Sequence, residues 1–136
     1  MIDLFGEISA ACKLEIPAHH HRKIGIIGAG GIVEAAHLPA YKKAGLPIFA
    51  ITDINISRAE ALATKFAIPK VFQTAEELLA DDSIEVVDIA VPASEQPALL
   101  MAALEAGKHV LAQNHLLRAL KPRSLWEILP QKLVSK

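Results

Sequence analysis

The chain has 136 residues, 52% hydrophobic and 4% aromatic, with a formal net charge of −1 at pH 7 and a single cysteine, Cys12. That is enough for one domain and too apolar for a disordered segment; scarce aromatics and interleaved charges exclude a stacking platform or basic footprint for nucleic acid. One cysteine excludes a disulfide framework and a thiolate metal cluster, and Cys12 reads as a small apolar residue.

Residues 1–22 read as a leader segment with weak periodicity, Pro17 and the run His19-His20-His21-Arg22. Sequence neighbours do not face one another, so three adjacent histidines suit a solvated linker better than a metal site. Residues 1–12 carry Asp3 and Glu7 and no Lys or Arg, the wrong charge for a secretory n-region. The apolar runs around 24–33 and 86–93 are interrupted or too short to span a bilayer. A cytoplasmic protein without a membrane partner is therefore expected.

From Lys23 onward strands alternate with helices. Ile24–Ile27 is a short β-branched run suited to a buried parallel strand. Residues 32–44 predict a helix kinked or broken at Pro39 and stopped by Gly45, and 47–53 predict the second strand. Ser57 with Glu60 predicts a capping box for a helix to Phe66, with Ala59, Leu62, Ala63 and Phe66 on its apolar face. Val71 and Phe72 form a short third strand; Thr74 with Glu77 caps the next helix and turns Leu78 and Leu79 inward. Residues 85–91 predict a fourth strand, 97–106 a helix stopped by Gly107, and His109–Ala112 the fifth strand. Short right-handed connections imply an α/β fold, a Rossmann-type doubly wound parallel sheet of order 3-2-1-4-5. Its crevice opens at the carboxyl ends of the first and fourth strands.

Gly28-Ala29-Gly30-Gly31-Ile32-Val33 lies where a strand hands over to a helix. Gly28 permits the turn, Gly30 lets backbone approach a pyrophosphate, and the helix N-terminus offers free N–H groups to it. The third position of the fingerprint is Val33, which sets helix and strand slightly further apart. Asp53 ends the second strand, 23 residues after Gly30, where an acid accepts hydrogen bonds from ribose hydroxyls and repels a 2′-phosphate. That favours NAD over NADP, with Arg58 close enough to modify the preference. His37 and His109 read as structural or solvated, and Asp81-Asp82-Ser83 as a solvated turn. No spacing argues for a nucleophilic triad. A glycine loop and acid so placed also suit an S-adenosylmethionine-dependent methyltransferase.

Longer stretches decide between these. Lys23-Ile-Gly-Ile-Ile-Gly-Ala-Gly-Gly-Ile32, His37-Leu-Pro-Ala40, Ala50-Ile-Thr-Asp53, Arg58-Ala-Glu-Ala61, Glu77-Leu-Leu-Ala80, Val87-Asp-Ile-Ala-Val-Pro92 and Leu104-Glu-Ala-Gly-Lys-His-Val-Leu111 follow in order. From Lys23 to Gln113 the chain resembles the N-terminal domain of the glucose–fructose oxidoreductase/inositol dehydrogenase (Gfo/Idh/MocA) family. The resemblance implies a nicotinamide cofactor, held by Gly28, Ala29, Gly30, Gly31, Ile32, Asp53 and Arg58, with Val91 and Pro92 lining its nicotinamide side. In complete members it also implies oxidation or reduction of a sugar or polyol-like alcohol.

The departures fall at one end. Where family members follow the fifth strand with Glu-Lys-Pro or Gln-Lys-Pro, this chain reads Gln113-Asn114-His115. Asn114 stands in place of the catalytic lysine and cannot donate a proton to a developing alkoxide as an ammonium does; His115 is the remaining catalytic candidate. After Pro92 the loop reads Ala93-Ser94-Glu95-Gln96, where the family often has histidine. Residues 114–136 form a basic amphipathic tail with five Lys or Arg against one acid, while the preceding 113 carry nine against fourteen. The expected organisation is a leader, a dinucleotide-binding domain over 23–113 and this tail, truncated before the family's second domain. The expected function is dinucleotide binding without independent turnover. The alternatives are a dehydrogenase half completed by a partner chain and a non-functional remnant. Self-association or packing of the tail is expected to cover the surface left by the missing domain.

Overall fold

The computed structural model describes residues 17–112. Cys12, Asn114, His115 and the basic tail 114–136 lie outside the described residues. A single 3-10 turn, Ala18–His20, precedes the sheet. Strands β1 (Ile24–Ile27), β2 (Ile48–Thr52), β3 (Lys70–Val71), β4 (Val86–Ile89) and β5 (His109–Ala112) form one parallel sheet. Their order is β3-β2-β1-β4-β5, as the alternation and crossover rule require. β1 is central, with all four residues buried, so its β-branched run has no solvated face to leave a period of two.

Four helices connect the strands: α1 (Leu38–Lys43), α2 (Ile56–Phe66), α3 (Ala75–Ala80) and α4 (Gln96–Glu105). Ile24, Ile26, Ile51, Val33, Leu38 and Leu62 belong to the buried core on the α1–α2 face. Ile27, Ala50, Val87, Ile89, Leu78 and Ala103 belong to the one on the α3–α4 face. Burying side chains of this size stabilises the fold by about 1.5–3 kcal/mol each before conformational entropy is counted.

Several local expectations are corrected. The first helical segment is not one α-helix: Val33–His37 is a π-helical turn that gives way to α1, with the Leu38 N–H bonded to the Val33 carbonyl five residues back. Pro39 has no N–H, and its ring crowds the carbonyl four residues earlier; the wider turn ahead of it spreads those carbonyls. Ser57 is not the cap of α2. The helix starts at Ile56 with Asn55 at its cap and no side-chain cap bond; the Asn55 N–H donates to Asp53 Oδ1 at 2.7 Å. α2 is capped by Ala67, a non-glycine residue at φ 56°, whose neighbour Ile68 closes back onto the Ala63 carbonyl at 2.9 Å. β3 lies one residue earlier than expected, β4 is shorter at both ends, and α4 starts at Gln96. Half of the Thr74 capping box forms: Glu77 N–H donates to Thr74 Oγ1 at 3.2 Å, while Glu77 Oε2 accepts from the Gln73 N–H at 3.1 Å, one residue ahead of the cap.

Candidate functional site

The sheet order reverses between β1 and β4, and the chain leaves both strands there, so a crevice opens at their carboxyl ends. The turn out of β1 is fixed by Gly28. Its N–H donates to the Thr52 carbonyl at 2.8 Å, which ties the loop to β2. It has φ +114°, and a Cβ there would stand 2.3 Å from the Ala90 carbonyl oxygen. Only glycine fits that conformation and that contact. Gly30 differs: a Cβ there would meet nothing within 4 Å, so its bare face borders open space. The Gly30 carbonyl accepts from the Val33 and Glu34 N–H groups at 3.1 and 3.2 Å, starting the helical segment directly behind the loop.

Asp53 stands beside this loop. Its Oδ2 accepts from the Ala29 N–H and its Oδ1 from the Asn55 N–H, both at 2.7 Å. One carboxylate thus clamps the glycine loop to the exit of β2. Each oxygen keeps a further lone pair for a hydroxyl donor.

A cleft of about 550 Å³ runs across this edge. Of the residues singled out from sequence, Gly28, Gly30, Asp53, Arg58, Val91 and Pro92 line it. Ala29 and Gly31 line a side recess of about 350 Å³ that shares Gly30 and Arg58 with the cleft. Ile32 lines neither and is 53% exposed. The sequence reading missed Ile54, Gln73, Thr74, Glu76, Glu95 and Leu99, which with Ile27, Thr52, Ala75 and Ala90 complete the walls. One of these left a signal: Ile54 follows the acid at the strand end and is fully exposed, an apolar rim with nothing over it. Gln73 and Thr74 carried only a capping signal, and Leu99 reads as ordinary helix core.

His37, read from sequence as structural or solvated, is not solvated. It is buried, with Nδ1 2.7 Å from Asp88 Oδ2, and the Tyr41 hydroxyl donates to the same oxygen at 2.8 Å. Burial, then the Asp88 carboxylate, hold the Tyr41 phenol well above its ordinary pKa. Asp88 is the unpredicted member, a fully buried carboxylate on a central strand. His109 is exposed at the amino end of β5, away from the crevice. Asp81 closes α3 and is more than a solvated turn: hydrogen bonds from Lys70 and then Ser83 hold its carboxyl well below the usual range. The Lys108 ammonium donates to the Asp81 and Ile84 carbonyls at 2.8 Å and staples the turn before β4. Among the described residues no helix is long and apolar enough to cross a membrane.

Known proteins share this architecture. Residues 22–114 match the oxidoreductase family with an NAD-binding Rossmann fold, Gfo/Idh/MocA. An uncharacterized oxidoreductase of Rhizobium meliloti is 38% identical over 95 residues, 69% of this chain and 28% of its own. D-xylose 1-dehydrogenase (NADP(+)) 2 of Haloferax volcanii is 35% identical over 92 residues, 68% of this chain and 28% of its own. The crystal structure of myo-inositol dehydrogenase from Lactobacillus casei, in complex with NAD(H) and myo-inositol, superposes with a TM-score of 0.63 at 28% identity. It covers 67% of this chain and 27% of that one. The chain spans little more than a quarter of the length of these relatives. A family match over the whole sheet stands against the methyltransferase alternative. With this match over residues 22–114 on a sheet of that strand order, the chain belongs to the Gfo/Idh/MocA oxidoreductase family, whose NAD(P)-binding Rossmann domain it carries.

Proposed function

We propose that residues 23–113 bind a nicotinamide dinucleotide, NAD in preference to NADP, as the cofactor domain of a sugar- or polyol-directed oxidoreductase in the cytoplasm. The observation that carries this reading is the pairing of open space at Gly30 with the clamped carboxylate of Asp53 at the mouth of one cleft. The pyrophosphate lies over Gly28–Gly31 and the adenosine ribose on Asp53. Adenine rests against Ile54 and Thr74, and the nicotinamide end reaches Val91 and Pro92. Asp53, with Glu76 and Glu95 also on the cleft against Arg58, disfavours an added 2′-phosphate.

Titration of the full chain with NAD, NADH and NADP, read by nicotinamide fluorescence and heat, tests the assignment. Gly30→Val fills the pyrophosphate position and is expected to abolish binding. Asp53→Ala is expected to weaken NAD by about tenfold or more and narrow its lead over NADP, as loss of charge-assisted hydrogen bonds implies. Unchanged affinity in both variants would sink the site assignment.

Turnover by this chain alone is not expected, since by its resemblance to the family Asn114 stands at the position of the lysine, with His115 beside it in sequence as an acid–base candidate. A screen of sugars and polyols for NADH production should stay far below the typical enzyme rate of about 10 per second; a robust rate would restore an independent enzyme. The leader 1–22 and the tail 114–136 stand outside the cofactor unit in this reading. Leu104 on α4 and Leu111 on β5 are 48% and 49% exposed just ahead of the tail. That supports cover by the tail, or by a second chain in its place. Cutting after Gln113 should lower solubility or raise self-association; an equally stable, monomeric product would remove the tail from this role.

A further inference from the structure

β4 leaves the sheet at a point where backbone hydrogen bonds run out. The Ala90 N–H still bonds the Ile27 carbonyl at 2.8 Å, but the next residues, Val91 and Pro92, form the free wall of the cleft. Pro92 has no N–H to anchor that wall. A turn follows, with the Glu95 N–H on the Pro92 carbonyl at 2.9 Å, and α4 begins without a side-chain cap. Gln96, the first residue of α4, does not point outward as the first turn of a helix usually allows. It is 6% exposed, and its Nε2 donates to the Val91 carbonyl at 2.8 Å. Among the described residues no backbone N–H is bonded to that carbonyl. The amide's other atom, Oε1, is buried with no hydrogen-bond partner. Only the N–H end of the amide can serve a carbonyl, so the side chain is held for donation even though its acceptor is left orphaned.

The geometry points to Gln96 as the positioning residue of the nicotinamide half of the cleft: it fixes the Val91 carbonyl, and with it the Val91–Pro92 wall, without touching the cofactor itself. This rests on the dinucleotide reading above. Because the adenosine and pyrophosphate contacts lie on the loops that follow β1 and β2 and on the cap of α3, they do not depend on Gln96. A purely structural glutamine would affect the whole site or none of it.

The test compares NADH with ADP-ribose, which lacks the nicotinamide ring, on the full chain and on Gln96→Leu. Leucine keeps the bulk, loses the donor and removes a buried carbonyl oxygen that has no partner, so the fold is retained. NADH affinity is expected to fall about tenfold, the scale of one lost hydrogen bond, and ADP-ribose affinity to stay within about twofold. The fluorescence change of bound NADH should shrink in parallel. Gln96→Asn, whose donor is one methylene too short to reach Val91, serves as a second variant and is expected to behave alike. Equal losses for both ligands, or no loss for either, would overturn the assignment. If the parent chain binds neither ligand, the dinucleotide reading falls and this inference with it; if it binds ADP-ribose and the variants bind NADH normally, only the inference falls.

Discussion

On the β1–β2 side of the cleft the wall is made of backbone. Gly28 is wedged under the Ala90 carbonyl, its N–H is bound to Thr52, and the Asp53 carboxylate holds the Ala29 and Asn55 N–H groups. On the β4–α4 side the wall departs from the sheet at a residue followed by proline, and a single side-chain amide holds its carbonyl. The first wall rests on backbone groups, on a glycine at a φ that L-residues avoid and on one carboxylate that holds two N–H groups. The second wall relies on one replaceable side chain.

The largest effect expected is at Gly28. Gly28→Ala puts a Cβ against the Ala90 carbonyl at a φ that L-residues avoid, and should cost at least about 3 kcal/mol of stability. Gly30→Ala meets open space and should change stability by less than about 1 kcal/mol. Chemical denaturation of the pair measures the contrast; equal losses would show that the two glycines are not doing different jobs.

A step smaller is the support behind the walls. Asp88 lies on β4, while His37 and Tyr41 lie on the π-turn and α1 that follow the glycine loop, so their bonds tie one wall to the other. Asp88→Val removes the acceptor that both share and should cost about 2–4 kcal/mol. A loss under about 0.5 kcal/mol would mean that apolar packing alone keeps the walls together.

Thr74→Ala tests the cap of α3 at the floor of the cleft, and should cost about 1 kcal/mol with the sheet intact. The gentlest probe is pH. The Tyr41 phenol is raised in the folded state above its ordinary value of 10.0, so the stability it contributes is full below about pH 10 and is lost as pH rises further. Asp81 is depressed from 3.8, so its contribution is present above about pH 4 and is lost as pH falls. Melting temperatures of Tyr41→Phe and Asp81→Asn across pH isolate these limbs. Parallel pH profiles for variant and parent would refute the corresponding linkage.

Much of the site's first wall was legible because its signals are local. A β-branched run ending in Gly-Ala-Gly, an acid at the end of the next strand and a Thr-to-Glu capping box are each decided by residues a few positions apart. The errors are local signals outcompeted. Ser57 and Glu60 had the spacing of a capping box, but the helix begins at Ile56 with Asn55 as its cap, which places Ser57 inside the first turn. Pro39 announced a disturbance, and the π turn ahead of it is how the chain absorbed it.

The order of the strands, the two faces of the sheet and the glycine loop follow from the sequence itself, because periodicity and the handedness of crossovers leave few ways to bury such runs. Tertiary structure alone decided that Asp88 meets His37 across 51 residues, that Gln73 and Leu99 border the same cleft as Asp53, and that Gln96 turns back onto Val91. Such contacts join segments with no shared local pattern. They arise because a buried carboxylate or an unpaired carbonyl must find a partner once the sheet has closed around it, and only the closed sheet determines which partner is within reach.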